Sequence, residues 1–184
     1  MLIKLLNHYK IPLLASAVIC ISLIALLVVK EPFVIGLIIV GCLAGTFILD
    51  LDYFIYAYFT DTDKDFSKTF RAFIKHGDLT NAFNYLEIHK SSIQDKILNS
   101  GLFQIALAAS SLIVVAARTN ALVQALVLSA FLNSIYRMYE YYFKDQIDDW
   151  FWAFKFKLDK KFIVIYSLVL LGILFFSVTQ LYFY

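Results

Sequence analysis

Residues 41–59 read GCLAGTFILDLDYFIYAYF, an apolar run of membrane-spanning length with two aspartates, Asp50 and Asp52, near its end. Apolar stretches this long mark transmembrane helices, and acids inside one need a partner or a function. The rest of the chain is placed by asking on which side of a bilayer that acid-bearing end lies.

Composition agrees with the run. Of 184 residues, 61% are hydrophobic and 16% charged, against roughly 45–50% and about 25% in soluble domains. Because the excess sits in blocks, the sequence predicts an all-α integral membrane bundle and a single membrane domain over residues 1–184. Five spans emerge, at about 11–29, 32–59, 97–117, 119–136 and 162–184. Pro32 suits the first turn of the second span, and Arg118-Thr119-Asn120 is the turn of a helical hairpin. A soluble-type apolar hairpin is the alternative for that pair. Cys20 and Cys42 lie inside apolar runs, as small core residues do, rather than in a disulfide or metal pair. The first run exceeds the h-region of a signal peptide and ends without a small-residue cleavage site, so it is expected to be retained.

Charge sets the expected orientation. With five spans, Lys4, Lys10 and the basic residues of 60–96 and 137–161 share one side, leaving only Lys30 and Arg118 opposite. Fourteen against two follows the positive-inside pattern of a bacterial inner membrane, N-terminus cytoplasmic and C-terminus outside. Segment 60–96 offers Asp61, Thr62 and Asp63 as N-caps, Phe66, Phe70, Phe73 and Ile74 at helical spacing, and Gly77 as a stop. A second short helix from Asp78 would put Leu79, Phe83 and Leu86 on one face, and Ser91 with Gln94 would cap the third span. Such amphipathic helices either lie in the cytoplasmic interface or pack on the protein's own spans. Segment 137–161 interleaves aromatics with charges. Between two spans this reads as an interfacial aromatic belt rather than a nucleic-acid surface. The bilayer, and a membrane-protein partner, are the expected contacts.

This threading brings polar residues of three stretches to one cytoplasmic level: Asp50 and Asp52, then Asn99 and Ser100, then Asn133, Arg137 and Glu140. One reading is an ion-pair network with Arg137 against Asp50 or Asp52. Positions two apart on a helix point about 200° apart, so only one aspartate need face the arginine. The other reading is a divalent metal site activating water, with Asp50 and Asp52 as ligands and His89 recruited from the loop. His8 and His76 lie no nearer that level, and a zinc or manganese site would want histidines. A transporter finds less support, because no span has ionisable groups near its middle.

The order Leu49-Asp50-Leu51-Asp52, Asn99-Ser100-Gly101-Leu102-Phe103-Gln104, then Leu132-Asn133-Ser134-Ile135-Tyr136-Arg137 resembles the bacterial membrane-bound metal-dependent hydrolase family, the one containing the LexA-binding inner-membrane protein. The run Asp149-Trp150-Phe151-Trp152 is also similar to membrane proteins of candidate-phylum bacteria with the same layout. The resemblance covers about residues 41–152 and implies a multi-span fold with an Asp-x-Asp element, a His-Ser element and a later His followed by an Asp. Only Asp50 and Asp52 match in kind. Asn99 and Asn133 stand where that pattern has histidines, and Arg137 where it has an acid. The resemblance therefore implies a divergent member without its metal centre, a non-enzymatic scaffold or partner subunit without a cofactor. The alternative is an active hydrolase with a cytoplasm-facing site.

Overall fold

The computed structural model describes residues 2–89, 93, 96–154 and 159–183, with the side chains of 2–8, 79, 87 and 183 left aside. The expected Ser91–Gln94 cap and the basic residues Lys90, Lys155 and Lys157 lie outside the described residues. Those described form helices and connecting turns without a strand: α1 (Leu2–Leu26), α2 (Pro32–Phe47), α3 (Leu51–Ile55), α4 (Asp65–Lys75), α5 (Leu79–His89), α6 (Gly101–Ala116), α7 (Ala121–Phe143), α8 (Ile147–Trp150) and α9 (Lys160–Gln180). Among the described residues, four helical runs are long and apolar enough to cross a membrane: Tyr9–Leu26, Pro32–Thr60, Ala121–Phe143 and Lys160–Gln180.

The second run is a single rod assembled from unlike turns. A 3-10 turn at Ile48–Asp50 joins α2 to α3, and a π turn at Tyr56–Thr60 ends it. The 3-10 turn changes the rotation of the side chains from there on, so a uniform helix drawn from Pro32 misplaces Asp50 and Asp52 around the axis.

The central helix is α7, with 61% of its membrane-length window buried against 28–33% for the other three. Its backbone meets α2 closely. A Cβ on Gly41 would sit 2.5 Å from the Leu122 carbonyl oxygen, and one on Gly45 2.5 Å from that of Leu126. The Gly41-x-x-x-Gly45 spacing therefore flattens one face of α2, allowing the helices to approach to backbone contact. α1 lays Tyr9, Ser16, Ile19 and Leu23 inward, while Leu14, Val18 and Ile21 point outward. α9 buries only a narrow stripe, Ile163, Ser167, Leu170, Leu174 and Ser177.

Helix ends explain much of the topology. After α6, Arg118 takes φ 50°, its N–H and that of Thr119 bond to Val115 and Val114, and Asn120 caps α7 through Val123 N at 2.9 Å. This is a left-handed stop followed at once by an N-cap. Gly77 (φ 71°) ends α4 in the same way.

Several expected boundaries shift. The third helix starts at Gly101, not near residue 97, and its 16 residues extend only about 24 Å. The fourth continues past Tyr136 to Phe143, so the first residues of the expected 137–161 segment belong to it. α4 begins beyond Lys64, whose side chain makes no cap bond. Asp61 is instead held by Lys64 and Tyr56 at 2.5 and 2.9 Å, which keeps its carboxyl below the usual carboxylate range, the lysine contact contributing most. The apolar face of α4 packs inward, Phe66 and Phe70 joining Tyr53, Tyr56 and Ala57 of the rod. On α5 the inward residues are Ala82, Tyr85 and Leu86, while Phe83 is exposed.

Candidate functional site

The expected polar level resolves into separate groups. At the 3-10 turn within the rod, Asp50 receives an Arg137 guanidinium N–H at 2.5 Å and the Tyr9 hydroxyl at 2.8 Å. Three helices, α1, the rod and α7, thus meet on one carboxylate. The pair is mostly buried, the side chains retaining 18% and 10% exposure. An ion pair this enclosed persists only with near-ideal geometry and further hydrogen bonds, and Tyr9 supplies one of them. Tyr53 lies within electrostatic reach of the same arginine and of both aspartates.

Asp52 points elsewhere and is 2% exposed. Its oxygens accept the backbone N–H of Ile97 and of Asn99, each at 2.9 Å, and the Asn99 amide at 3.1 Å. Asn99 also donates to the Leu49 carbonyl at 2.8 Å. A carboxylate drawing on two backbone amides holds residues 97–99 in a bend and delays the start of α6. Ser100 then caps α6, accepting from Phe103 N and donating to the Ile97 carbonyl.

Asn133 belongs to a third group, one turn deeper than Arg137 on α7. Its amide donates to Ser16 at 2.8 Å and to the Ser129 carbonyl at 3.0 Å. Ser16 lies 2.5 Å from the Thr46 hydroxyl and 2.7 Å from that of Ser129, and both of these reach the Cys42 carbonyl at 2.9 Å. Three hydroxyl protons thus serve four contacts among α1, α2 and α7. Glu140 joins none of these groups; it pairs with Lys144 on the next turn, at 3.8 Å. His89 lies on α5, with Nδ1 2.9 Å from the Tyr85 carbonyl oxygen.

Several members carry no strong mark in the sequence. Tyr9 stands in a short polar prelude, while Ser16, Thr46 and Ser129 are single hydroxyls in apolar runs. Their signal, a small polar residue at the helical spacing of a buried stripe, is weak. Lys96 looks like one more loop cation, yet its ammonium donates to the Tyr141 hydroxyl at 2.8 Å and lies 5.7 and 5.3 Å from the Tyr53 and Tyr141 ring centres. Trp150, fully buried, donates to Gln104 at 3.2 Å, and Trp152 to the Lys96 carbonyl at 3.0 Å. These aromatics close the cluster from the α8 side.

Chemically, the arrangement positions helices. Both carboxylates are occupied as acceptors by donors from other elements, and no group of three His, Cys, Asp or Glu side chains suited to an ion converges among the described residues. The donor set beside Asp50 does not fit a divalent cation, because the guanidinium already stands against that carboxylate and would repel the ion. No family model matches the chain, and no curated protein or solved structure does so either.

Proposed function

We propose that this chain is a five-span bacterial inner-membrane protein acting as a non-enzymatic scaffold or partner subunit, a divergent relative of membrane-bound metal-dependent hydrolases. The observation that carries this reading is the Arg137 contact to Asp50. A cation built into α7 serves as the counter-charge that an ion would provide in a hydrolase. The amide cradle around Asp52 supports it further, since that carboxylate is spent on holding the chain before α6.

The topology belongs to the same proposal. α6 makes the fifth span, with the bend at 97–100 leading into its short helix. With the N-terminus cytoplasmic, the C-terminus lies outside and α4 and α5 rest against the inner leaflet. The excess of basic residues on that side supports this orientation.

Metal titration of the purified chain tests the functional reading. Manganese or zinc is expected to leave the thermal unfolding midpoint unchanged and to bind without defined stoichiometry. A stoichiometric ion that stabilises the protein and is lost in Asp50→Ala would establish the active hydrolase instead.

A further inference from the structure

Outside the cluster, a groove of about 580 Å³ opens between the π turn of the rod and α4, lined by Tyr58, Lys68, Arg71, Ala72, Ile74 and Lys75. Lys68, Arg71 and Lys75 follow one another at helical spacing, so three cations share one face of an eleven-residue helix. The opposite face is anchored by Phe66 and Phe70 against Tyr53 and Tyr56, which holds the cationic face in place. No acid lines the groove. Among the described residues, ion pairs form at Lys64, Arg137 and Lys144 but not at Lys68, Arg71 or Lys75.

Arg71 is preoriented. Its Nε donates to the Ser67 carbonyl at 3.2 Å and one Nη to the Thr62 carbonyl at 2.5 Å, which uses two of the five N–H donors of a guanidinium. Below the cations the surface turns apolar. Ala72 and Ile74 line the groove, Tyr58 is 42% and Phe59 82% exposed, and Phe54 and Leu51 continue an exposed apolar track along the rod. A concentrated positive charge at the head of an apolar track complements a molecule with an anionic head and apolar tails.

We infer that this groove binds the phosphate-bearing headgroup of an anionic phospholipid, with Lys68, Arg71 and Lys75 contacting the phosphate and Tyr58 and Ile74 the glycerol region. The site ties the end of the acid-bearing helix to the leaflet, and basic residues at a membrane surface gain affinity for anionic lipids in this way. Its assignment to the inner leaflet rests on the topology proposed above; the headgroup chemistry does not.

The test is native mass spectrometry of the full chain in mild detergent, offered equal amounts of phosphatidylglycerol and phosphatidylcholine. The wild type is expected to favour phosphatidylglycerol by about tenfold. Lys68→Gln with Lys75→Gln should bring the ratio near unity, whereas Lys160→Gln with Lys161→Gln should leave it unchanged. Equal loss in both double variants would reduce the preference to diffuse charge and overturn the inference, as would a wild type without preference. Full displacement of the lipid by a millimolar excess of inorganic phosphate would assign the groove to free phosphate instead. Labelling of His76→Cys, an exposed position next to the groove but outside its lining, by an impermeant maleimide from outside the cell, with the lipid preference intact, would sink the proposed topology and leave the headgroup site standing.

Discussion

The Arg137 guanidinium on α7 lies 2.5 Å from the Asp50 carboxylate, across 87 positions of sequence. Removing either partner strands a charge in a mostly buried setting, which costs about 3–5 kcal/mol when a buried pair is broken. Arg137→Ala and Asp50→Ala are therefore expected to lower stability to a similar degree, measured by thermal unfolding in detergent. Tyr9→Phe removes one bond to the same carboxylate and should cost about 1.5–3 kcal/mol, as hydrogen bonds to charged groups do.

Asp52→Asn replaces one acceptor oxygen by a donor facing backbone N–H groups. The expected loss is about 1–3 kcal/mol or somewhat more, with a local signature: the amides of Ile97 and Asn99 should exchange hydrogen faster, while α7 keeps its protection. Unchanged exchange at both amides would contradict the cradle.

The glycines of α2 separate contact from composition. Gly45→Ala drives a methyl against the α7 backbone and is expected to destabilise by about 1–3 kcal/mol through overpacking. Gly36, with no atom within 4 Å of an added Cβ, should accept alanine without loss. Parallel unfolding measurements of the two variants check this.

The exposed contact at the end of the rod predicts a mild acid dependence. Lys64 and Tyr56 hold the Asp61 carboxyl below its ordinary value of 3.8. A carboxyl depressed in the folded state contributes stability above its unfolded pKa and loses it as pH falls through the folded one. Stability should therefore decline below about pH 4 from this source, and Lys64→Met should flatten that part of the profile. Unfolding midpoints measured from pH 6 downward would show it.

How far the molecule is legible in its sequence depends on the range of the determining contact. The Arg118-Thr119-Asn120 turn can be read because stop and cap are local chemistry, and Gly77 for the same reason. The start of α6 cannot, because what keeps residues 97–99 out of the helix is a carboxylate on another element. Periodicity places Asp50 and Asp52 near one level but cannot assign their partners, since the 3-10 turn before α3 changes their rotation. Asn133 and Glu140 share that level by count of residues, yet one turns to Ser16 and the other to Lys144. Gly41-x-x-x-Gly45 lies within the opening stretch itself, where hydropathy registers only two weakly apolar residues and spacing alone marks the contact face.

A double-mutant cycle on Asp50 and Arg137 tests the central claim most directly, by comparing the unfolding free energies of Asp50→Asn, Arg137→Gln and their combination. If the two charges hold each other, the double variant should be more stable than the sum of the single losses by about 2–3 kcal/mol, within the range measured for directly contacting residues. Strict additivity would mean that the side chains act independently, contradicting a buried ion pair that joins α7 to the rod.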